Sequence, residues 1–303
     1  MTEWLIEPWQ LEFMQRAFIV ALIAAVVCVV VGTFVVLRGM AFIGDAVAHA
    51  VFPGVAVGFV IHANLALTGA VAGIATAVAI ALISQTRRLN EDTVIGVFWA
   101  GSFGLGIVIV STQDAYTGDL TSFLFGQILA LGDDDVRAVA AVGAVLVALT
   151  FLLRRQFIAV SLDRETAKAS GLPVLLLDMV LYAMVTAAIV VALQAVGNIL
   201  VLALLVTPAA TARMGTERLA TMTAAACALA AFGSVAGLYV SYHYNLAAGG
   251  MIVLVLTAMF LLAWLAAPKH GLLWRRRQAG VRVAPGTRPV PPSPLPVQKD
   301  SVP

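Results

Sequence analysis

"AFIVALIAAVVCVVVGTFVVL", residues 17–37, runs its whole length without a charged side chain. About 20 such residues, coiled as a helix, are enough to cross the hydrocarbon core of a bilayer. Comparable blocks recur at 44–61, 65–84, 94–111, 136–153, 174–193, 197–211, 219–240 and 249–267. Of the 303 residues, 61% are hydrophobic and only 11% charged, where a soluble domain carries roughly 25% charged residues. No water-soluble core could hide that much apolar surface. The expected fold is therefore an all-α polytopic membrane protein with about nine transmembrane helices. The first block ends at Arg38 and leads directly into further spans, with no small-residue cleavage site, so it reads as a retained helix and not a signal peptide. Block 197–211 is short and holds Asn198 and Pro208, which predicts a broken or half helix. "TSFLFGQILAL" (121–131) is too short to span and predicts a re-entrant or interfacial segment.

Charge sets the orientation. With the C-terminus in the cytoplasm and the spans alternating backward, only Arg16 and Arg137 of the 18 basic residues fall outside, leaving 16 inside. That is the bias cytoplasmic loops carry, and it predicts an N-out, C-in chain. Residues 1–16 then form an extracytoplasmic N-terminal segment, 17–268 the transmembrane domain, and 269–303 a cytoplasmic basic, proline-rich tail expected to be disordered. Asp114, Asp119, Asp133, Asp134 and Asp135 all fall in one outer loop. They form either a cation-concentrating surface or simply a well-solvated loop. Cys28 and Cys227 lie inside apolar blocks and read as small packing residues.

One stretch does not fit an inert span. "GDAVAHAVFPG" (44–54) places Asp45 and His49 at i and i+4, hence on one helical face. Ionisable groups inside a span cost roughly 2.5–3.5 kcal/mol each on insertion scales and mostly face a cavity or pathway. Pro53 lacks an N–H, so the carbonyl of residue 49 loses its helical partner. A carboxylate, an imidazole and a free carbonyl in one turn suit Mn²⁺, Fe²⁺ or Zn²⁺ better than Cu⁺. An Asp–His pair that only locks helices together, or one that sits at the membrane surface, remains open at this point. Asp178, Gln194, Asn198 and Thr207 are the other polar residues available to complete a metal shell. Gly54/Gly58, Gly69/Gly73 and Gly233/Gly237 read as close-packing helix faces. "GSFGLG" (101–106) lies within a span and is no nucleotide loop. Neither G-x-x-x-x-G-K-[ST] nor H-E-x-x-H occurs, so the chain shows no ATPase or zinc-protease motif of its own.

"LRGMAFIGDAVAHAVFPGVAVGF" (37–59), "EDTVIG" (91–96), "TGDLTSFLFGQILAL" (117–131), "DRETAKASGLPVLLLD" (163–178) and "GNILVLALLVTPAATAR" (197–213) resemble, in order, the signatures of the bacterial metal ABC transporter permeases. That family handles manganese, zinc or iron uptake and is related in architecture to vitamin B12-type importers. The resemblance spans about residues 15–268. It implies a homodimeric permease in the bacterial cell membrane, a cytoplasmic ATP-binding partner subunit and an extracytoplasmic metal-binding protein. It also implies that Asp45 and His49, matching the family's D-x-x-x-H, are metal ligands in the translocation path. Residues 163–174 are similar to the coupling helix of related importers. Asp163 is a good N-cap, and Gly171 and Pro173 stop the helix about two turns later, so Asp163, Glu165, Lys168 and Gly171 are expected at the contact with the ATPase. Gln127 departs from the pattern, standing where related sequences often carry a carboxylate.

The resulting expectation is a transport subunit and not an enzyme: a permease for Mn²⁺ or Zn²⁺, with Fe²⁺ a further candidate, with ATP on the partner subunit and no permanently bound cofactor. Its partners would be lipid and those subunits, with no nucleic acid. A proton-coupled secondary metal transporter and a permease for a metal chelate such as a siderophore are the alternatives.

Overall fold

A computed structural model describes residues 7–84, 90–111, 128 and 131–266, the side chains at 110, 194 and 195 excepted. Following a 3-10 turn at Glu7–Gln10 come α1 (Glu12–Leu37), α2 (Ile43–Val60), α3 (Leu65–Ile83), α4 (Glu91–Ser111) and α5 (Asp133–Leu162). The chain continues with α6 (Arg164–Ala169), α7 (Val174–Val196), α8 (Asn198–Gly215), α9 (Leu219–Tyr244) and α10 (Ala248–Ala266). All but the six-residue α6 are long and apolar enough to cross a membrane, giving nine candidate spans among the described residues.

Helix α1 is the axis of the bundle. It packs against α5, α7, α8 and α9, and Phe18, Ala25, Cys28, Val31 and Thr33 along it are fully buried. Thr33 satisfies its hydroxyl within the helix, donating to the Val29 carbonyl at 2.8 Å. Helices α2, α3 and α4 form a second group, with α2 packed on both others, and α7 joins the two by touching α1, α2, α3 and α5. Small residues set the spacing, because with lipid outside there is no hydrophobic drive between helices and close approach must supply the attraction. A Cβ at Gly32 would overlap the Leu205 carbonyl, and one at Gly54 would lie 2.5 Å from the Thr68 carbonyl oxygen. A Cβ at Gly237 would likewise lie 2.5 Å from the Cα of Ile252. These contacts match the packing read from the glycine pairs. Cys28 and Cys227 are both free thiols, the first buried.

Two elements differ from expectation. Residues 197–211 are not a broken helix: α8 runs unbroken over 18 residues with Pro208 inside it. Pro208 is buried among Leu204, Leu205 and Ala209, and neighbouring helices and local side chains let a transmembrane helix tolerate such a residue. The sharp corner falls instead at Gly197, whose φ of 80° separates α7 from α8 and is the left-handed conformation that glycine adopts without penalty. Helix α5 is also longer than its apolar block. It starts at Asp133 and runs 30 residues to Leu162, about 45 Å at 1.5 Å per residue. Its end carries Arg154, which lies 4.4 Å over the Phe151 ring.

Of the interfacial segment expected at 121–131, only Ile128 and Leu131 are described, both buried; the rest, with Gln127, Asp114, Asp119 and the tail from 269, lies outside the described residues. The three aspartates at the start of α5 have local work. Asp133 pairs with Arg16 at 2.8 Å, Asp134 with Arg137 at 3.1 Å, and the Asp135 carboxylate accepts the Gly132 N–H at 3.0 Å. Negative charge in a first turn is also favoured by the helix dipole. This part of the acidic loop is a helix start whose three carboxylates each have a local partner.

Candidate metal centre and coupling helix

Asp45 and His49 occupy the first two turns of α2, and apart from them every side chain in that helix is apolar. The helix continues through Pro53, so the pair does share one face. His49 Nδ1 lies 2.9 Å from the Asp45 carbonyl oxygen and 3.2 Å from Asp45 Oδ1. An Nδ1–H donated to these two oxygens leaves the Nε2 lone pair free, the tautomer a metal-binding imidazole needs. Asp45 Oδ2 and His49 Nε2 have no hydrogen-bond partner among the described residues. Both side chains are partly open, 31% exposed for Asp45 and 17% for His49.

The imidazole is bracketed by two aromatic rings from α4 that sequence reading did not single out. Trp99 stands 5.4 Å and Phe103 5.2 Å from it, centroid to centroid, both edge-on. One turn apart on α4, these two rings are themselves stacked at 6.5 Å. The signal was present as two aromatics at i and i+4, yet aromatics in a span ordinarily read as lipid-facing. Of the remaining polar candidates, Asp178, Asn198 and Thr207 share no hydrogen bond or ion pair with Asp45 or His49 among the described residues. Asn198 is buried with its Oδ1 unpartnered, and the Gln194 side chain lies outside the described set. Asp178 is engaged elsewhere. Among the described residues no group of three or more His, Cys, Asp or Glu could hold a metal. Among the described residues the pair therefore presents one free carboxylate oxygen and one free imidazole nitrogen, with no closed cage around them.

Asp178 belongs to a second cluster, where α1, α4, α6 and α7 meet. Its Oδ1 receives Arg38 Nη1 at 2.5 Å and its Oδ2 receives Arg164 Nη2 at 2.6 Å. Arg164 Nη1 reaches on to Glu91 Oε1 at 3.3 Å, and Arg38 Nε donates to Ser161 Oγ at 3.3 Å. The Arg38 and Asp178 side chains are nearly fully buried, whereas Arg164 is 44% exposed. Arg38 Nη2 is buried without a partner.

Arg164 is the first residue of α6, the helix expected to couple. Asp163 caps it: Oδ1 accepts the N–H groups of Glu165 and Thr166 at 2.9 and 3.2 Å, and Oδ2 accepts the Thr166 hydroxyl. Those bonds favour the carboxylate, and the Thr166 hydroxyl leads in holding Asp163 below its ordinary pKa. Gly171, at φ 82°, ends the helix: its N–H bonds the Lys168 carbonyl while the Leu172 N–H bonds that of Ala167. This is a Schellman ending, followed by Pro173. Glu165 and Lys168 are exposed, while Ala167 is buried against the bundle. Glu91, Arg164, Glu165 and Lys168 line a groove of about 780 Å³ beside this helix.

Comparison with known proteins agrees with this architecture. The chain is 40% identical over 269 residues to the manganese transport system membrane protein MntC of Listeria monocytogenes, covering 89% of this chain and 96% of that one. It is 36% identical over 279 residues to a protein of Haemophilus influenzae described as a probable iron transport system membrane protein, covering 92% and 99%. The solved structure of PsaBC from Streptococcus pneumoniae in complex with Fab superposes with a TM-score of 0.79 at 35% identity, covering 92% of this chain and 99% of that one. The sequence profile of the ABC 3 transport family matches residues 10–267, which takes in every helix described above. A bundle of membrane-crossing helices with so complete a match leaves one assignment: this multi-pass protein of the bacterial cell membrane belongs to the ABC 3 transport family.

Proposed function

We propose that the chain is the permease subunit of an ATP-driven importer of a divalent transition metal, Mn²⁺ foremost, and that Asp45 Oδ2 and His49 Nε2 hold the ion in passage. The observation that carries this is the pair itself: a carboxylate oxygen and an imidazole nitrogen, partly open and with no other partner among the described residues, in a helix otherwise wholly apolar. An oxygen and an imidazole nitrogen without thiolate suit manganese and ferrous iron, in keeping with the manganese and iron systems to which the relatives belong. Zinc would accept the same atoms. Two ligands per chain are too few for a stable complex. A second copy of the chain, facing the first as a homodimer, would double them while leaving the site weak enough to release its ion.

In this reading the chain lies N-out and C-in. An extracytoplasmic metal-binding protein delivers the ion, and a cytoplasmic ATPase subunit grips α6 through Asp163, Glu165, Lys168 and the turn at Gly171. The exposure of Glu165 and Lys168 and the firm caps at both ends support this role, since a short rigid helix transmits force better than a frayed one.

The test is uptake of radioactive Mn²⁺, Fe²⁺ and Zn²⁺ into proteoliposomes holding the permease, its ATPase and its binding protein. Asp45→Asn and His49→Ala are each expected to lower Mn²⁺ uptake at least tenfold, roughly what even an outer-shell change costs a metal site, while the complex still assembles. Uptake that persists with an inactive ATPase would identify a proton-coupled carrier. Normal uptake in both variants would make the pair a structural contact.

A further inference from the structure

We propose that Arg164 is a positioning residue for transport: it ties the movement of the coupling helix to the two helices that hold the metal pair and its aromatic bracket. The inference rests on the importer reading above. Arg164 grips two carboxylates on two different helices, Asp178 of α7 at 2.6 Å and Glu91 of α4 at 3.3 Å. Each leads toward the metal site by a short route. Glu91 begins α4, and eight residues on, about 12 Å up the helix axis at 1.5 Å per residue, Trp99 abuts the His49 ring. Asp178 holds Arg38, the residue that closes α1. From Arg38 the chain turns through Gly39 at φ 75° and reaches Asp45 seven residues later. One arm thus ends at the His49 ring, and the other in the chain that leads into Asp45.

Its chemistry fits a moving joint better than simple glue. Only a planar guanidinium can serve two carboxylates at once from fixed directions. Arg164 is 44% exposed on the groove beside α6, so a force applied to that helix reaches it directly. The innermost member, Arg38, keeps one buried Nη2 without an acceptor. Buried polar groups are nearly always partnered, so the cluster holds an unused donor that another arrangement of the same four residues can satisfy.

The experiment measures phosphate release and ⁵⁴Mn²⁺ import in the same proteoliposomes, with the whole complex assembled. Arg164→Lys keeps the charge and loses the fork. It is expected to leave ATP hydrolysis running while the ions imported per ATP fall about tenfold, the size of a typical coupling between sites. Glu91→Gln should lower the ratio similarly, and the double variant should be no worse than the poorer single one, as for residues acting as a unit. Should Arg164→Lys fail to assemble, Glu91→Gln carries the test alone, because it leaves the buried Arg38–Asp178 pair intact. An ions-per-ATP ratio equal to wild type in the assembled variants, whatever the absolute rates, overturns the inference. A wild-type complex that hydrolyses ATP yet imports no Mn²⁺ overturns the importer reading, and this inference with it.

Discussion

Both oxygens of Asp178 are taken by arginines, and this removes it from the ion path and makes it a keystone of packing. Arg38 cannot escape to water when its partner changes, since its side chain is only 4% exposed. Breaking a buried ion pair by removing one member typically costs about 3–5 kcal/mol, because the charge left behind has no compensation. Asp178→Asn is therefore expected to lower the thermal unfolding midpoint of the purified, detergent-solubilised protein by several degrees. Asp45→Asn should leave that midpoint nearly unchanged, because Asp45 is partly open and its pair is not enclosed. The two substitutions are chemically identical, and the contrast between them, read by differential scanning fluorimetry, separates a residue that holds the bundle from one on which the fold does not depend. A large drop for Asp45→Asn would place the Asp45–His49 pair among the structural contacts.

At the scale of the element, helix α6 shows what sequence can and cannot convey. Its two ends were legible because capping is local chemistry: an aspartate before the first turn and a glycine after the last one have few other readings. The Gly171 position has open space where a Cβ would go, so its constraint is the backbone alone. Gly171→Ala should cost about 1–2 kcal/mol, the penalty of a left-handed L-residue, and Gly171→Asn should cost less. Hydrogen exchange across 164–170 would check this, with faster exchange in the alanine variant than in the asparagine one. Arg164 itself escaped notice because its meaning is not local. Its partner Asp178 is fourteen residues on and Glu91 seventy-three residues back, and only the folded bundle brings them together. Trp99 and Phe103 were hidden for the same reason. The extra turns of α5 were missed because an apolar-block count stops at Arg154, whereas a helix that has left the lipid can continue on ordinary propensity.

For the whole molecule, span number and class followed from length and composition, which is where membrane sequences are most explicit. The burial order of the spans did not. Nothing in a run of alanines and valines says that α1 is the enclosed axis while α4 presents Val97, Leu105 and Val108 outward, since lipid and protein interiors accept the same side chains. Close glycine contacts carry that information, and they become specific only once Gly32 is seen against Leu205 or Gly54 against Thr68.

The solitude of the Asp45–His49 pair on α2 has an electrical consequence. With apolar side chains above and below it along that helix, α2 itself offers no ladder of polar groups on which a file of water molecules could rest or along which protons could hop. A permease waiting for its cargo should insulate as well as the lipid around it. Planar-bilayer recordings of the idle complex should show the bare membrane's conductance. A further hydrophilic rung, one turn on from His49 as in Phe52→Asn or two turns on as in Ala56→Ser, should raise the proton leak before it alters the rate of metal import.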